Sequence, residues 1–187
     1  KEDSEMFHHI TAKLLFLSKR ARPDIQTTTA FLCTRVKSPS VDDYKKLRRC
    51  MQYLRGTTEL HLTLEANELT VIKWWVDASY AVHKDMKSHT GGFMTLGKGA
   101  IYSTSKKQRL NTKSSTEAEL VGVDDVSSQI VWTRYFLLEQ GYGVQDSVIH
   151  QDNQSAILLE KNGRGSSSKR TRHINVRYFF IKDRIQN

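Results

Sequence analysis

The stretch Val71-Ile-Lys-Trp-Trp-Val-Asp-Ala-Ser-Tyr80 constrains this chain more than any other. Its β-branched and aromatic residues follow one another almost without a break, the pattern of a strand covered on both faces and therefore central in its sheet. Asp77 closes the apolar run. A carboxylate is costly to bury, so at the end of such a strand it is expected to face a cleft at the sheet's carboxyl edge, where open α/β sheets place ligands. A turn-forming aspartate that merely caps the strand is the competing explanation. Two later carboxylates carry the choice between them.

Ahead of this strand the periodicity is helical. Phe7, Ile10, Leu14 and Leu17 share one face of a helix over 6–21, which Arg22-Pro23-Asp24 breaks because the residue before a proline avoids α geometry. A second helix spans 25–36. A third is opened by Asp42 and Asp43, lined by Tyr44, Leu47, Met51 and Leu54, and closed at Arg55-Gly56-Thr57. His8 and His9 lack ligand-spaced partners and are read as surface or packing residues. Nothing in 1–56 carries catalytic chemistry.

Residues 60–65 alternate as a half-buried strand does. Beyond Asp77, a strand from Gly91, a hairpin turn at Gly97-Lys98-Gly99 and a return over 100–105 complete three antiparallel strands. Lys106-Lys107-Gln108-Arg109-Leu110-Asn111-Thr112-Lys113 is a basic approach to the strongest helix signal. There Ser114 and Glu117 form a capping-box pattern, and the helix continues to about Glu139. Capping accounts for Glu117. Glu119 instead falls on the face that Val123 and Ile130 pack against the sheet, where a carboxylate needs a partner or a metal. Another strand, 147–152, ends on Asp152, and a helix follows with either Asp152 or Asn153 as its cap. A basic loop and a final helix from about Thr171, with His173, Val176, Phe180 and Ile181 on one face, complete the chain.

At 187 residues, 38% hydrophobic and 26% charged, the chain suits a soluble globular protein with one core and an appendage. No apolar run reaches membrane-spanning length, and Cys33 and Cys50 fit neither a disulfide framework nor a zinc site. Reduced core thiols point to an intracellular setting. The start lacks an initiator Met and a signal-peptide pattern, so the chain is expected to be excised from a longer one. The formal net charge is +9, and the residues from Lys161 onward supply seven of those charges. Such density favours a polyanion through phosphate contacts, against the commoner role of a solvated face.

If the strands of Asp77 and Asp152 are parallel neighbours, the intervening helix is the crossover such a pair requires, and Glu119 can lean over both aspartates. Three carboxylates so close repel unless cations lie between them. Hard oxygen donors suit Mg²⁺ or Mn²⁺, and two such ions form a phosphodiester-cleaving arrangement. Trp74, Trp75 and Trp132 could stack bases, but core packing is the expected role of aromatic residues in a buried strand or long helix.

Four segments then become recognisable in order: Trp75-Val-Asp77-Ala-Ser-Tyr-Ala, Ser114-Ser-Thr-Glu-Ala-Glu119-Leu, Gln151-Asp152-Asn-Gln-Ser-Ala156, and Lys169-Arg-Thr-Arg-His173-Ile-Asn-Val-Arg-Tyr-Phe-Phe-Ile181. Together they resemble the ribonuclease H domain of copia-type retrotransposon polyproteins. Ala12-Lys-Leu-Leu-Phe-Leu-Ser-Lys-Arg-Ala-Arg-Pro-Asp24 and Leu54-Arg-Gly-Thr57 resemble the end of the reverse transcriptase in the same polyproteins. The resemblance implies an α/β fold with a ribonuclease-H-like mixed sheet over 59–187, preceded by a reverse-transcriptase helical segment over 1–58. It implies hydrolysis of the RNA strand of an RNA/DNA hybrid, with Asp77, Glu119 and Asp152 as catalytic metal ligands and two Mg²⁺ or Mn²⁺ ions. Lys106, Lys107, Arg109, Asn111, Thr112, Ser115, Asn153, Arg170 and Arg172 are the expected nucleic-acid contacts. The remaining polyprotein is the expected partner, in the cytoplasm or a virus-like particle, with no membrane and no small-molecule cofactor.

The family carries a fourth acid downstream, in an Ala-Asp-containing stretch after one further strand. This chain ends first, so the last strand and helix of the fold are expected to be missing. Asp183 and His173 match the preceding helix and are not promoted to the site, and Asn175 stands where the family often has Asp. The fragment is accordingly expected to be weakly active or inactive alone. Two other possibilities are a non-catalytic nucleic-acid-binding fragment and a transposase or integrase core. In the latter, the glutamate would follow both aspartates, whereas Glu119 lies between them.

Overall fold

The computed structural model describes residues 2–67 and 69–162. The basic loop and final helix expected after Asn162 lie outside the described residues, as do Arg170 and Arg172.

Three helices come first: α1 (Glu2–Arg20), α2 (Gln26–Cys33) and α3 (Val41–Gly56), with a 3₁₀ turn, Pro23–Ile25, between α1 and α2. They enclose a core of Phe7, Leu14, Ile25, Leu32, Leu47 and Cys50. Tyr44 and Leu54 pack on it as expected, but Met51 is largely exposed and its neighbour Cys50 takes the inward position. Cys33 and Cys50 are unpaired thiols, while His8 and His9 are exposed. Ser40 starts α3 through a capping box: its hydroxyl accepts the Asp43 N–H, and the Asp43 carboxylate accepts the Ser40 N–H at 2.9 Å. Arg22 locks the break after α1 to the end of α3. Its guanidinium donates to Asp24 at 2.7 Å and to the Thr57 carbonyl at 3.0 Å.

The strands are β1 (Glu65–Ala66), β2 (Val71–Ser79), β3 (His89–Thr95), β4 (Gly97–Lys98), β5 (Tyr102–Lys107) and β6 (Asp146–His150). A mixed four-stranded sheet has the order β5-β3-β2-β6. β2 is antiparallel to β3, with Asp77 opposite Gly91, and parallel to β6, with Trp75 opposite His150. Between β5 and β6 the chain crosses over in the long helix α4 (Ser115–Glu139), and α5 (Gln154–Asn162) follows β6. Parallel neighbours need such a connection.

β2 is central, but only one of its faces is fully covered. Ile72, Trp74 and Val76 are buried against Val123, Val126 and Ile130 of α4, whereas Lys73 and Asp77 on the other face are exposed. Alternation was masked because Trp75, on the open face, is also apolar. It is half-buried between the stacked rings of Phe93 and His150, with centroids at 4.8 and 4.6 Å. Gly92 lets α4 approach β3, since a Cβ there would lie 3.1 Å from the Val126 side chain.

The alternating stretch 60–65 is mostly not a strand; only Glu65 and Ala66 form a ladder, with Gly97 and Lys98. Gly97 and Lys98 therefore belong to a small second sheet and not to a tight hairpin turn. A Cβ on Gly97 would sit 2.3 Å from the Glu65 carbonyl, so this contact needs glycine. The return strand begins at Tyr102, two residues later than expected, and β3 begins at His89, two earlier. Trp132 is not a core residue: it is 57% exposed and stacks on Phe136 one turn along α4. Among the described residues no helix is long and apolar enough to cross a membrane.

Candidate metal centre

Three elements bring their carboxylates together. Asp77 stands near the end of β2 on the open face, exposed, beside the side-chain-free Gly91. Glu119 lies in the early turns of α4, whose start is fixed by Ser114 accepting the Glu117 N–H. Both glutamates are buried, but the Glu117 carboxylate accepts the Lys113 N–H at 2.7 Å, which holds it at the helix end, while Glu119 turns toward Asp77 and Asp152. Asp152 follows β6. The open question about the α5 cap is answered by Asn153, whose side-chain oxygen accepts the Ala156 N–H at 3.0 Å. Asp152 is left exposed at the sheet edge. One carboxylate oxygen from each of Asp77, Glu119 and Asp152 lies within 4.8 Å of the others.

The electrostatics match that crowding. Burial, with the nearby Asp77 and Asp152, pushes the Glu119 carboxyl up to about 7, although hydrogen bonds from Gln151 and the Ala78 backbone oppose the shift. Glu160, buried on α5, is also pushed up to about 7, by burial and by Glu119. The donor set is all hard oxygen and carries more negative charge than its neighbours offset, which suits a divalent cation held by Asp77, Glu119 and Asp152.

A groove of about 810 Å³, lined at one end by Asp77 and Asp152, runs over the open sheet face. Trp75, Phe93 and His150 form its floor, and Pro23, Gln26 and Thr27 of the helical segment form part of its wall.

The expected nucleic-acid contacts divide. Arg109 and Ser115 are exposed, and so is Asn111, which lies 3.5 Å from the Asp85 carbonyl. Lys106 and Lys107 reach the surface but pair with Asp125 at 3.2 Å and Asp85 at 2.7 Å. Thr112 does not fit an interface role: it is buried and its hydroxyl bonds Ser88 at 2.8 Å. The Asn153 side-chain oxygen is engaged in its cap.

Sequence reasoning missed three polar residues. Gln151 donates to Glu119 at 3.1 Å. Gln108, within the basic approach, is buried and donates to the Ala118 carbonyl at 2.8 Å, pinning β5 to the start of α4. Glu160 had one available signal, its position one turn after Ala156 on the buried face of α5.

The raised Glu119 carboxyl has a measurable consequence without metal. In the unfolded chain this group titrates near 4.5. Between about 4.5 and 7 the folded form therefore holds more protons, and stability falls as pH rises, the penalty being complete above 7. Glu119→Gln is expected to stabilise the EDTA-treated chain by about 1–3 kcal/mol at pH 8. The gain should vanish by pH 4.5. Urea unfolding of parent and variant across this range checks it; an equal gain at both ends would contradict the assigned cause.

No protein-family model matches the chain. It is 32% identical over 93% of its length to the retrovirus-related Pol polyprotein from transposon TNT 1-94 of Nicotiana tabacum. It is 32% and 31% identical, over 99% of its length, to the corresponding polyproteins from transposons RE1 and RE2 of Arabidopsis thaliana. In each case it spans 13% of the relative's length. The chain thus belongs with the retrovirus-related Pol polyproteins of transposons, of which it corresponds to one segment.

Proposed function

We propose that this segment is the ribonuclease H portion of its polyprotein, hydrolysing the RNA strand of RNA/DNA hybrids, preceded over 1–58 by the end of the reverse transcriptase. The observation that carries this is the convergence of Asp77, Glu119 and Asp152 within 4.8 Å at one sheet edge. Three antiparallel strands, a crossover helix and a parallel fourth strand are the order expected of a ribonuclease-H-like sheet.

In this reading Asp77 and Asp152, exposed at the edge, meet the scissile phosphate region, and Glu119 closes the cluster from behind. Bound Mg²⁺ or Mn²⁺ would supply an activated water and charge stabilisation for the leaving 3′ oxygen. The groove beside the acids takes the strand to be cut. Arg109, Asn111 and Ser115, all exposed, would meet backbone phosphates and 2′-hydroxyls, which distinguish RNA from DNA without reading sequence.

The test is cleavage of a hybrid labelled on its RNA strand, with Mg²⁺, by this chain and by a version extended downstream to the fourth acid of the resembled family. The extended protein is expected to cut the hybrid's RNA and spare duplex DNA, while this chain is expected to be weakly active or inactive. Failure of the extended protein with both Mg²⁺ and Mn²⁺ would leave only nucleic-acid binding.

A further inference from the structure

We propose that Gln151 is a positioning residue whose side-chain amide holds Glu119 in its ligand orientation; the inference rests on the metal-nuclease reading of the site. Gln151 bridges two elements. The Asn153 backbone N–H donates to its Oε1 at 3.1 Å, and its Nε2 donates to Glu119 Oε2, also at 3.1 Å. The amide cannot be turned round, because a backbone N–H requires an acceptor and only the carbonyl end of glutamine supplies one. The NH₂ end must therefore face Glu119. Asn153 is itself fixed by capping α5, so the bracket has a rigid base.

The geometry explains why Glu119 needs such a bracket. Asp77 lies in β2, and Asp152 lies two residues past the end of β6, whose ladder with β2 runs as far as Trp75 and His150 and so brings the two aspartates to the same edge. Glu119 reaches them from a different layer on a side chain with three rotatable torsions. Binding one of its oxygens removes much of that freedom while the carboxylate keeps an oxygen within 4.8 Å of those of the two aspartates. Only a side chain of glutamine's length that both accepts and donates fits here. Glutamate would satisfy Asn153 but set a fourth carboxylate against Glu119, and asparagine is one methylene short of spanning both partners.

Mn²⁺ binding to the chain without nucleic acid, followed by electron paramagnetic resonance, tests the role, with thermal unfolding in EDTA in parallel. Gln151→Met and Gln151→Leu, which keep bulk but not the amide, are each expected to weaken Mn²⁺ about tenfold or more and to alter the bound-ion spectrum. Leu159→Ala, which loosens the packing of α5 without touching the amide, serves as the control. It should lower the unfolding temperature and leave Mn²⁺ affinity within about twofold. Parent-like affinity in both Gln151 variants would overturn the proposal, as would equal weakening by Leu159→Ala. Either result leaves the metal reading intact. Absence of Mn²⁺ binding by the parent chain would instead remove the metal reading and the bracket with it.

Discussion

Asp77→Asn is expected to reduce metal-dependent cleavage of the RNA strand by about 10³-fold or more, with little change in thermal stability. Asparagine keeps the shape of the side chain and removes one anionic oxygen from a site where, among the described residues, three carboxylates come within 4.8 Å of one another. A metal contributes several kcal/mol of transition-state stabilisation, and each 1.4 kcal/mol is tenfold in rate, so a loss of about 4 kcal/mol corresponds to that factor. Folding is spared because Asp77 is exposed and lies on the open side of β2, away from α4. Removing its charge also relieves Glu119, whose carboxyl it helps to push up. The comparison belongs in the extended protein, where parental activity is expected to be strong. Persistence of Mg²⁺-dependent cleavage within tenfold of the parent would detach Asp77 from the chemistry. A collapse in unfolding temperature would instead show that the aspartate is structural.

The parts of this site that were legible in the sequence are those set by local rules. Glu117 and Glu119 could be separated because Ser114 fixes where α4 begins, and helical spacing then assigns one to the end and the other to the packed face. The parallel pairing of β2 with β6 was legible only as a condition: the long helix between them allowed it, and the ladder from Val71 opposite Asp146 to Trp75 opposite His150 meets it. Asp152 could not be separated from Asn153 in the same way, because either residue can cap α5 and the choice depends on the approach angle of β6. Gln151 stood within a recognisable segment, but nothing local marked its role, because its partner is Glu119, 32 residues away. The buried pair His83 and His89, 3.0 Å apart with His89 bonded to Ser105 at 2.7 Å, gave no local signal either, since Ser105 lies on another strand. Burial and the neighbouring His83 lower His89 to about 4. Residues 60–65 misled in the opposite direction. Their alternation is real, but a strand needs a partner edge, and only Gly97 and Lys98 offer one.

Trp74→Ala is the substitution expected to cost the fold most, about 3–5 kcal/mol, because a large aromatic side chain leaves a cavity that a packed layer closes only in part. Trp74 is completely buried, against the Val123, Val126 and Ile130 layer of α4 and beside Tyr102, at a ring separation of 5.8 Å. Against a total of about 5–15 kcal/mol for a domain, that loss is enough to populate unfolded chain at moderate temperature. Its sequence neighbour makes the internal comparison. Trp75 points the other way and is half-buried between Phe93 and His150. Trp75→Ala should forfeit two stacking contacts of about 0.5–1.5 kcal/mol each, plus part of a half-buried surface. Urea midpoints for the two variants are expected to fall in that order, with Trp74→Ala the less stable. The reverse order would mean that the groove face, and not the α4 face, holds the sheet together. The asymmetry bears on function because Asp77 shares its face with Trp75. Since α4 and β2 meet on the opposite side, side chains around the acids can be exposed to a strand of nucleic acid without drawing on the contacts that keep β2 in place.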